Sequence, residues 1–183
     1  MLIDIASIGR EHGIVSPDLL TREVGKIFYR AVRERIKGIQ RGETVIIDFS
    51  GVKVIDLSFI DEMLVKLLIE SRQEEHPFFI KLRGCSEMAE MNIDMVLKSY
   101  SSYSKKKMVV ITENICHNNA FYLGALTDRE RDIVEFLRIN RTASQEDIAR
   151  LTGVSVEEAA ALMEELSSAR AIRLEAGGIC SAL

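Results

Sequence analysis

The sequence predicts an α/β domain with a mixed sheet flanked by helices, followed by a small unit of three helices and a β-hairpin. Three observations carry this. Over residues 1–124, short apolar runs such as Val45, Ile46 and Ile47 alternate with segments of helical periodicity, the pattern of strands covered by helices. From Leu126 onward the chain reads helix, turn, helix, turn, helix, and each helix starts with a Ser or Thr followed three residues later by an acid. Residues 43–70 place a buried strand, a polar turn and an amphipathic helix in immediate succession.

That last stretch organises the rest. Its β-branched run closes on Asp48-Phe49, Ser50-Gly51 interrupts it, and Val52, Val54 and Ile55 follow. A helix is expected to open at Ser58, with Ser58 and Asp61 as a capping box. Ile60, Met63, Leu64, Leu67 and Leu68 share one helical face, and Asp61, Glu62 and Lys66 are expected on the outer one.

The run IDFSGVKVIDLSFIDEMLV resembles the central motif of STAS domains, the fold of anti-sigma factor antagonists. Asp48, Gly51, Val52, Asp56 and Ser58 match it, whereas Leu57 and Phe59 stand where that family has serine and glycine. With Phe59, Asp61 and Glu62, the motif is most similar to that of the STAS-like family of unknown function. The resemblance implies the STAS fold over about the first two thirds of the chain. It also implies that Ser58 corresponds to the serine that a switch kinase phosphorylates in anti-sigma factor antagonists.

Composition narrows the class. The chain has 183 residues, room for one large or two small domains. It is 47% hydrophobic and 28% charged, an ordinary balance for a soluble protein. No apolar run approaches the roughly 20 residues of a membrane helix. The N-terminus has an acid at Asp4 and no small-residue cleavage pattern, so no signal peptide is expected. Three widely spaced cysteines, Cys85, Cys116 and Cys180, argue against a disulfide framework, and a reducing cytoplasm is the expected setting. A net charge of −4 gives no global attraction to nucleic acid or anionic membrane, which leaves room for a local basic patch.

Taken in order, Leu2, Ile3, Ile5 and Ile8 predict a first strand. Ser16 and Pro17 predict a helix start, with a long helix over residues 18–39 burying Leu19, Leu20, Val24, Ile27, Phe28, Ala31 and Ile36. Its other side carries Arg22, Lys26, Arg30, Arg33, Arg35 and Lys37, with Arg41 just beyond. This face is either a solvated surface or a contact for an acidic partner or phosphate backbone. After the central helix, expected to end at His76-Pro77, Phe78 to Leu82 predict a strand. A helix from Ser86 follows, with Met88, Met91, Met95, Val96 and Leu97 inward. The segment SYSSYSKKK is expected to be a loop whose lysines, Lys105 to Lys107, guard the next strand, Met108 to Ile111. A turn at Asn118-Asn119 and a strand through Phe121, Tyr122 and Leu123 end the α/β domain at residue 124.

Residues 125–183 predict the second domain. The capping boxes pair Thr127 with Glu130, Ser144 with Asp147 and Ser155 with Glu158. Ile133, Val134, Phe136 and Leu137, then Ile148, Ala149 and Leu151, then Ala159, Leu162, Met163 and Leu166 are the candidate core. A hairpin turning at Ala176-Gly177-Gly178 closes the unit. With Ala149, Gly153 and Ala159 at their spacing, the segment resembles a winged helix-turn-helix domain. That resemblance implies DNA binding, but the charge opposes it. Residues 126–183 carry seven arginines and no lysine against eleven acids. The expected reading helix turns Val156, Glu157, Ala160, Ala161, Glu164 and Glu165 outward, where base recognition calls for Arg, Lys, Asn or Gln.

Candidate chemistry is sparse. His12, His76 and His117 are isolated, no ligand spacing surrounds Cys116-His117, and no phosphate-cradling glycine loop is present. No catalytic residue, metal or cofactor is expected. The candidate motif residues are Asp48, Gly51, Asp56, Ser58, Phe59, Asp61 and Glu62, with Ser58 as the regulatory candidate. Candidates for an acidic partner or DNA are Arg30, Arg33, Lys37, Arg150, Arg170 and Arg173. The expected function is regulatory and non-catalytic. The α/β domain receives a signal by contact with a regulatory protein, and the winged helix conveys it to transcription. The alternatives are a direct DNA-binding regulator, and an enzyme or ligand-binding protein using the α/β domain. No membrane partner is expected, and a homodimer is left open.

Overall fold

The computed structural model describes residues 1–73 and 77–183. In chain order it contains β1 (Leu2–Asp4), α1 (Ile5–Glu11), β2 (Asp18–Leu19), α2 (Arg22–Arg35), β3 (Thr44–Asp48) and β4 (Val54–Ile55). A continuous helix follows, made of α3 (Leu57–Ile60), a π turn (Asp61–Val65) and α4 (Lys66–Glu70). Then come β5 (Phe79–Arg83), α5 (Glu87–Ser104), β6 (Val109–Thr112) and β7 (Tyr122–Gly124). The remainder is α6 (Asp128–Asn140), β8 (Thr142–Ser144), α7 (Gln145–Thr152), α8 (Val156–Ser168), β9 (Arg173–Glu175) and β10 (Ile179–Ser181). No described helix is long and apolar enough to cross a membrane.

The main sheet is mixed, in the order β1-β3-β5-β6-β7. Its first four strands are parallel and β7 is antiparallel to β6. Strand alternation gives the sheet two different faces. Val45, Ile47, Ile80, Leu82, Val110 and Leu123 join a core with Phe28 of α2, Met63 and Leu67 of the central helix, and Ile93 of α5. Val109, Ile111 and Tyr122 face the other way and join a second core with Ile133, Leu137 and Ile172. Helices α2 to α5 therefore cover one face, and the C-terminal unit covers part of the other.

Three N-terminal expectations are corrected. The first strand ends at Asp4, whose side chain accepts the Ser7 N–H and caps α1 at Ile5. The helix expected from residue 18 begins at Arg22, because Asp18 and Leu19 pair with Val54 and Ile55 as a short parallel ladder. Ser16 caps no helix; its hydroxyl accepts from Asp18 N within the loop. As a result Leu20 and Ile27 are exposed, and Gly25, Phe28 and Val32 form the buried stripe. Gly25 allows the close approach there, since a Cβ would lie 3.0 Å from Glu62 Cβ and 3.2 Å from the Phe59 backbone.

The third helix of the sequence reading is also rotated. Met88, Met91 and Met95 of α5 are about half exposed, while Ala89, Glu90, Ile93, Asp94 and Leu97 are buried. Two carboxylates can point inward because backbone donors meet them: His117 N on Glu90 and Gly124 N on Asp94, each at 2.8 Å. The expected SYSSYS loop is the end of α5, with the Ser101 and Ser104 hydroxyls bonded to the carbonyls four residues back. His76 lies outside the described residues.

In the C-terminal unit all three capping boxes form as expected, and Gly153 takes φ +68° at the end of α7. Strands β8, β10 and β9 make a three-stranded antiparallel sheet with β10 central. Leu151, expected in the core, is instead partly exposed.

Polar contacts join the two layers. Arg72 donates to Lys107 O at 2.8 Å and to Ala169 O at 3.2 Å, and Arg170 donates to Ser71 O at 3.2 Å. Arg173 reaches Gly42 O and Thr44 Oγ1, and the guanidinium groups of Arg170 and Arg173 both lie over the Phe79 ring. Lys107, expected to guard a strand edge, bridges Glu130 of α6 and Glu165 of α8.

Candidate functional site

The motif residues converge where β3 and β4 hand over to the central helix. Asp48, at the end of β3, is buried and accepts from Ser50 N at 2.9 Å; its other oxygen lies 3.2 Å from Arg83 Nε. Burial works against its charge, but the Ser50 bonds and Arg83 outweigh it and hold the carboxyl below its usual range. Gly51 turns the chain at φ +84°, which a side chain would strain.

Asp56, not Ser58, caps the helix. The backbone leaves β4 extended at Asp56, so its carboxylate reaches Phe59 N at 2.7 Å and Ser58 Oγ at 3.0 Å. Its second oxygen accepts Thr21 N at 2.8 Å, just before α2. One carboxylate thus ties together the starts of two helices. Burial again opposes ionisation, and the bonds from Thr21, Phe59 and Ser58 overcome it, lowering the pKa. The expected box of Ser58 with Asp61 is absent, because Ser58 already lies inside the first turn. Ser58 is half-buried and its hydroxyl donates to Asp56.

Glu62 departs most from its expected place. It is 3% exposed, whereas helical spacing predicts a solvated position. The packing of α2 is the reason: it crosses so closely at Gly25 that an added Cβ would lie 3.0 Å from Glu62 Cβ. There Arg22 donates to it at 2.9 Å and to Asp61 at 2.8 Å, and Lys66 pairs with it from one turn on. Hydrogen bonding by Lys66, then by Arg22, outweighs burial and depresses the Glu62 pKa. Phe59 is fully buried, edge-on to Phe28 with centroids 5.4 Å apart. The polar seam continues along α2, where Arg33 bridges Glu70 at 3.0 Å and stacks near Tyr29.

The candidate cations are dispersed. Lys37 pairs with Glu34, and Arg150 lies near Asp147. Arg170 and Arg173 are committed to the layer interface. Elsewhere on the basic face, Lys26 pairs with Glu23 and Arg35 with Glu11. Of the six candidates, Arg30 alone makes no ion pair or side-chain hydrogen bond among the described residues. His117 lies 3.7 Å from Glu90 and 3.9 Å from Asp94. Burial raises the Cys116 thiol to about 11, which keeps it protonated. Among the described residues no three His, Cys, Asp or Glu side chains gather as metal ligands would.

Sequence reasoning missed Thr21, Arg22 and Arg83 as parts of the motif. Thr21 and Asp56 are 35 positions apart and meet only because β2 pairs with β4, which two residues of pairing do not advertise.

No curated protein and no solved structure matches the chain. Over residues 25–90, which run from α2 through the motif to the first turn of α5, the chain matches the family model of the STAS-like domain of unknown function (DUF4325).

Proposed function

We propose that this chain is a non-catalytic regulatory protein in which a STAS-like layer, residues 1–124, receives a protein partner, and residues 125–183 act as a winged helix in transcriptional control. The order α6-β8-α7-α8-β9-β10, with β10 between β8 and β9, supports the winged-helix reading. The observation that carries the protein-docking role is the outer face of α8. Glu157, Ala161 and Glu164 are exposed there, and Glu165 is held by Lys107. A helix laid against DNA with these residues gains no counterion release and adds repulsion. Arg170 and Arg173 are spent on Ser71, Gly42 and Thr44, so the wing offers few cations in compensation.

Ser58 is the regulatory residue of this reading. A phosphate there would sit beside Asp56, break the hydroxyl's bond to it and load the cap with like charge. The motif surface would change without any movement of the apolar core.

A fluorescence-anisotropy titration of the full chain with random and genomic duplex DNA at low salt tests the role of α8. Dissociation constants in or above the micromolar range of non-specific binding are expected. Nanomolar binding that Glu164→Arg leaves intact would instead favour a direct DNA-binding regulator. In parallel, a Glu164→Arg chain expressed in the native host should lose cross-links that the unaltered chain makes through α8.

A further inference from the structure

The outer face of α5 is apolar where a solvated helix is ordinarily polar. Ala89, Glu90, Ile93, Asp94 and Leu97 turn inward. On the opposite side Met88, Met91 and Met95 are 52%, 49% and 51% exposed. Steps of three and four positions put them in one stripe along the helix, at the seam spacing of helices that pack on other helices. Leu57 adds to it: it opens α3 two residues past the Ile55 carbonyl that Asn92 of α5 holds at 2.8 Å, and it is also exposed. Exposed apolar side chains are ordinary when scattered, but gathered into a patch they mark a contact surface. We propose that this face binds a second copy of the chain, with the two α5 helices antiparallel across a two-fold axis at the level of residues 92–93.

The charges beside the stripe select that occupant. Glu87 and Lys98 are separated by about three full turns, so they lie on one flank of the stripe, near its opposite ends. Glu87 is exposed and makes no ion pair among the described residues. The Lys98 side chain is 54% exposed and is held at the edge of the stripe by Asp94 at 2.6 Å. An antiparallel two-fold pairing brings Glu87 of each copy beside Lys98 of the other. The same register sets Met91 against Met95 of the second copy. A parallel pairing would instead set Glu87 on Glu87 and Lys98 on Lys98, and like charges disfavour it. An unrelated helix would need this pattern in reverse, whereas a second copy has it by symmetry.

Methionine suits such a contact, because its unbranched, polarizable side chain fills an irregular gap without a fixed rotamer. Two stripes of this length bury less than a standard interface does, so the association is weak, with a dissociation constant of about 10–100 μM. The inference does not depend on what α8 docks against.

Sedimentation velocity of the full chain from about 1 to 300 μM tests this, and a monomer–dimer equilibrium is expected. Met91→Lys should weaken the dimer about tenfold or more, with circular dichroism confirming the fold. Glu87→Lys should weaken it about three- to tenfold, and its difference from the unaltered chain should shrink in high salt. Methyl resonances of the unaltered chain give a readout independent of the variants. Those of Met88, Met91 and Met95 should shift with concentration, while those of the buried Met63 and Met163 stay in place. A monomer throughout the range, a dimer that Met91→Lys leaves unweakened in a folded chain, or methyl shifts confined to other residues would each overturn the proposal. Shifts that appear only when a host protein fraction is added would also overturn it, and would assign the face to a different protein.

Discussion

The two faces of the main sheet are built from the same strands but held by different physics. Toward α2 to α5 the contacts are hydrocarbon, with Ile47, Leu82, Met63 and Leu67 all fully buried. Toward the C-terminal unit a smaller apolar patch of Val109, Ile111 and Tyr122 is framed by Arg72, Lys107, Arg170 and Arg173. The first face is a folding core. The second resembles a domain interface, more polar and dependent on directional bonds. The STAS-like match at residues 25–90 falls on the segment that builds the first face. The contrast teaches that one sheet can carry a fixed scaffold on one side and a docked module on the other.

The largest effect should come from removing one side altogether. A 1–124 fragment would uncover Val109, Ile111 and Tyr122, and also Phe79, from which Arg170 and Arg173 would be stripped. The fragment should keep its helices yet bind an apolar dye and melt well below the full chain, as circular dichroism and dye fluorescence can read. A fragment as stable and dye-silent as the whole would mean the second face contributes nothing to stability.

Leu64→Ala probes the helical face directly. Leu64 is 1% exposed in the middle of the π turn, so a cavity should cost about 2–5 kcal/mol in urea melts. A loss below about 1 kcal/mol would show that the face is not packed as described.

Lys107→Met is the matching cut on the polar face. Glu130 is 1% exposed and would keep only its Thr127 donors. Removing one partner of a buried pair typically costs about 3 kcal/mol or more. The partial exposure of Lys107 makes about 2–3 kcal/mol the expected value, with Glu130→Gln in the same chain recovering part of it. No change in the single variant would reduce this contact to a surface pair.

Asp56→Asn should have the smallest effect, about 1 kcal/mol near neutral pH, because an amide oxygen still caps but without charge. The sign with pH follows from the depressed pKa of Asp56. Its stabilisation is full above the unfolded carboxyl value of about 4 and is lost as pH falls through the folded value. The variant's stability should therefore decline less on acidification than that of the unaltered chain. Parallel decline in equilibrium melts at several acidic pH values would remove Asp56 as a charged tie.

Much of this molecule was legible in its sequence because local rules and tertiary packing agreed. The three capping boxes formed, and Ile60, Met63, Leu64, Leu67 and Leu68 are all buried as their spacing demanded. The misses share a cause, a long-range partner that overrides a local signal. Ser16-Pro17 looked like a helix start, yet β4 captured Asp18 and Leu19 as a strand. Ser58 looked like the cap, yet Asp56 also had Thr21 to reach. The methionines of α5 looked like a core face, but His117 N and Gly124 N drew Glu90 and Asp94 inward instead. Glu62 looked solvated, yet α2 closes over it at Gly25 and Arg22 meets its charge.

The π turn at Asp61–Val65 also bears on how this helix tolerates changes in length. Deleting one residue within it would restore ordinary winding and leave later residues such as Leu67 and Leu68 facing the core, whereas deleting one after Val65 would swing every later residue by about 100° about the axis. The helix thus keeps its extra residue inside the turn. Relatives with an unwidened helix would superimpose on it before Asp61 and run one position out of step after Val65, so the gap in any alignment belongs inside the turn and not in the loops on either side.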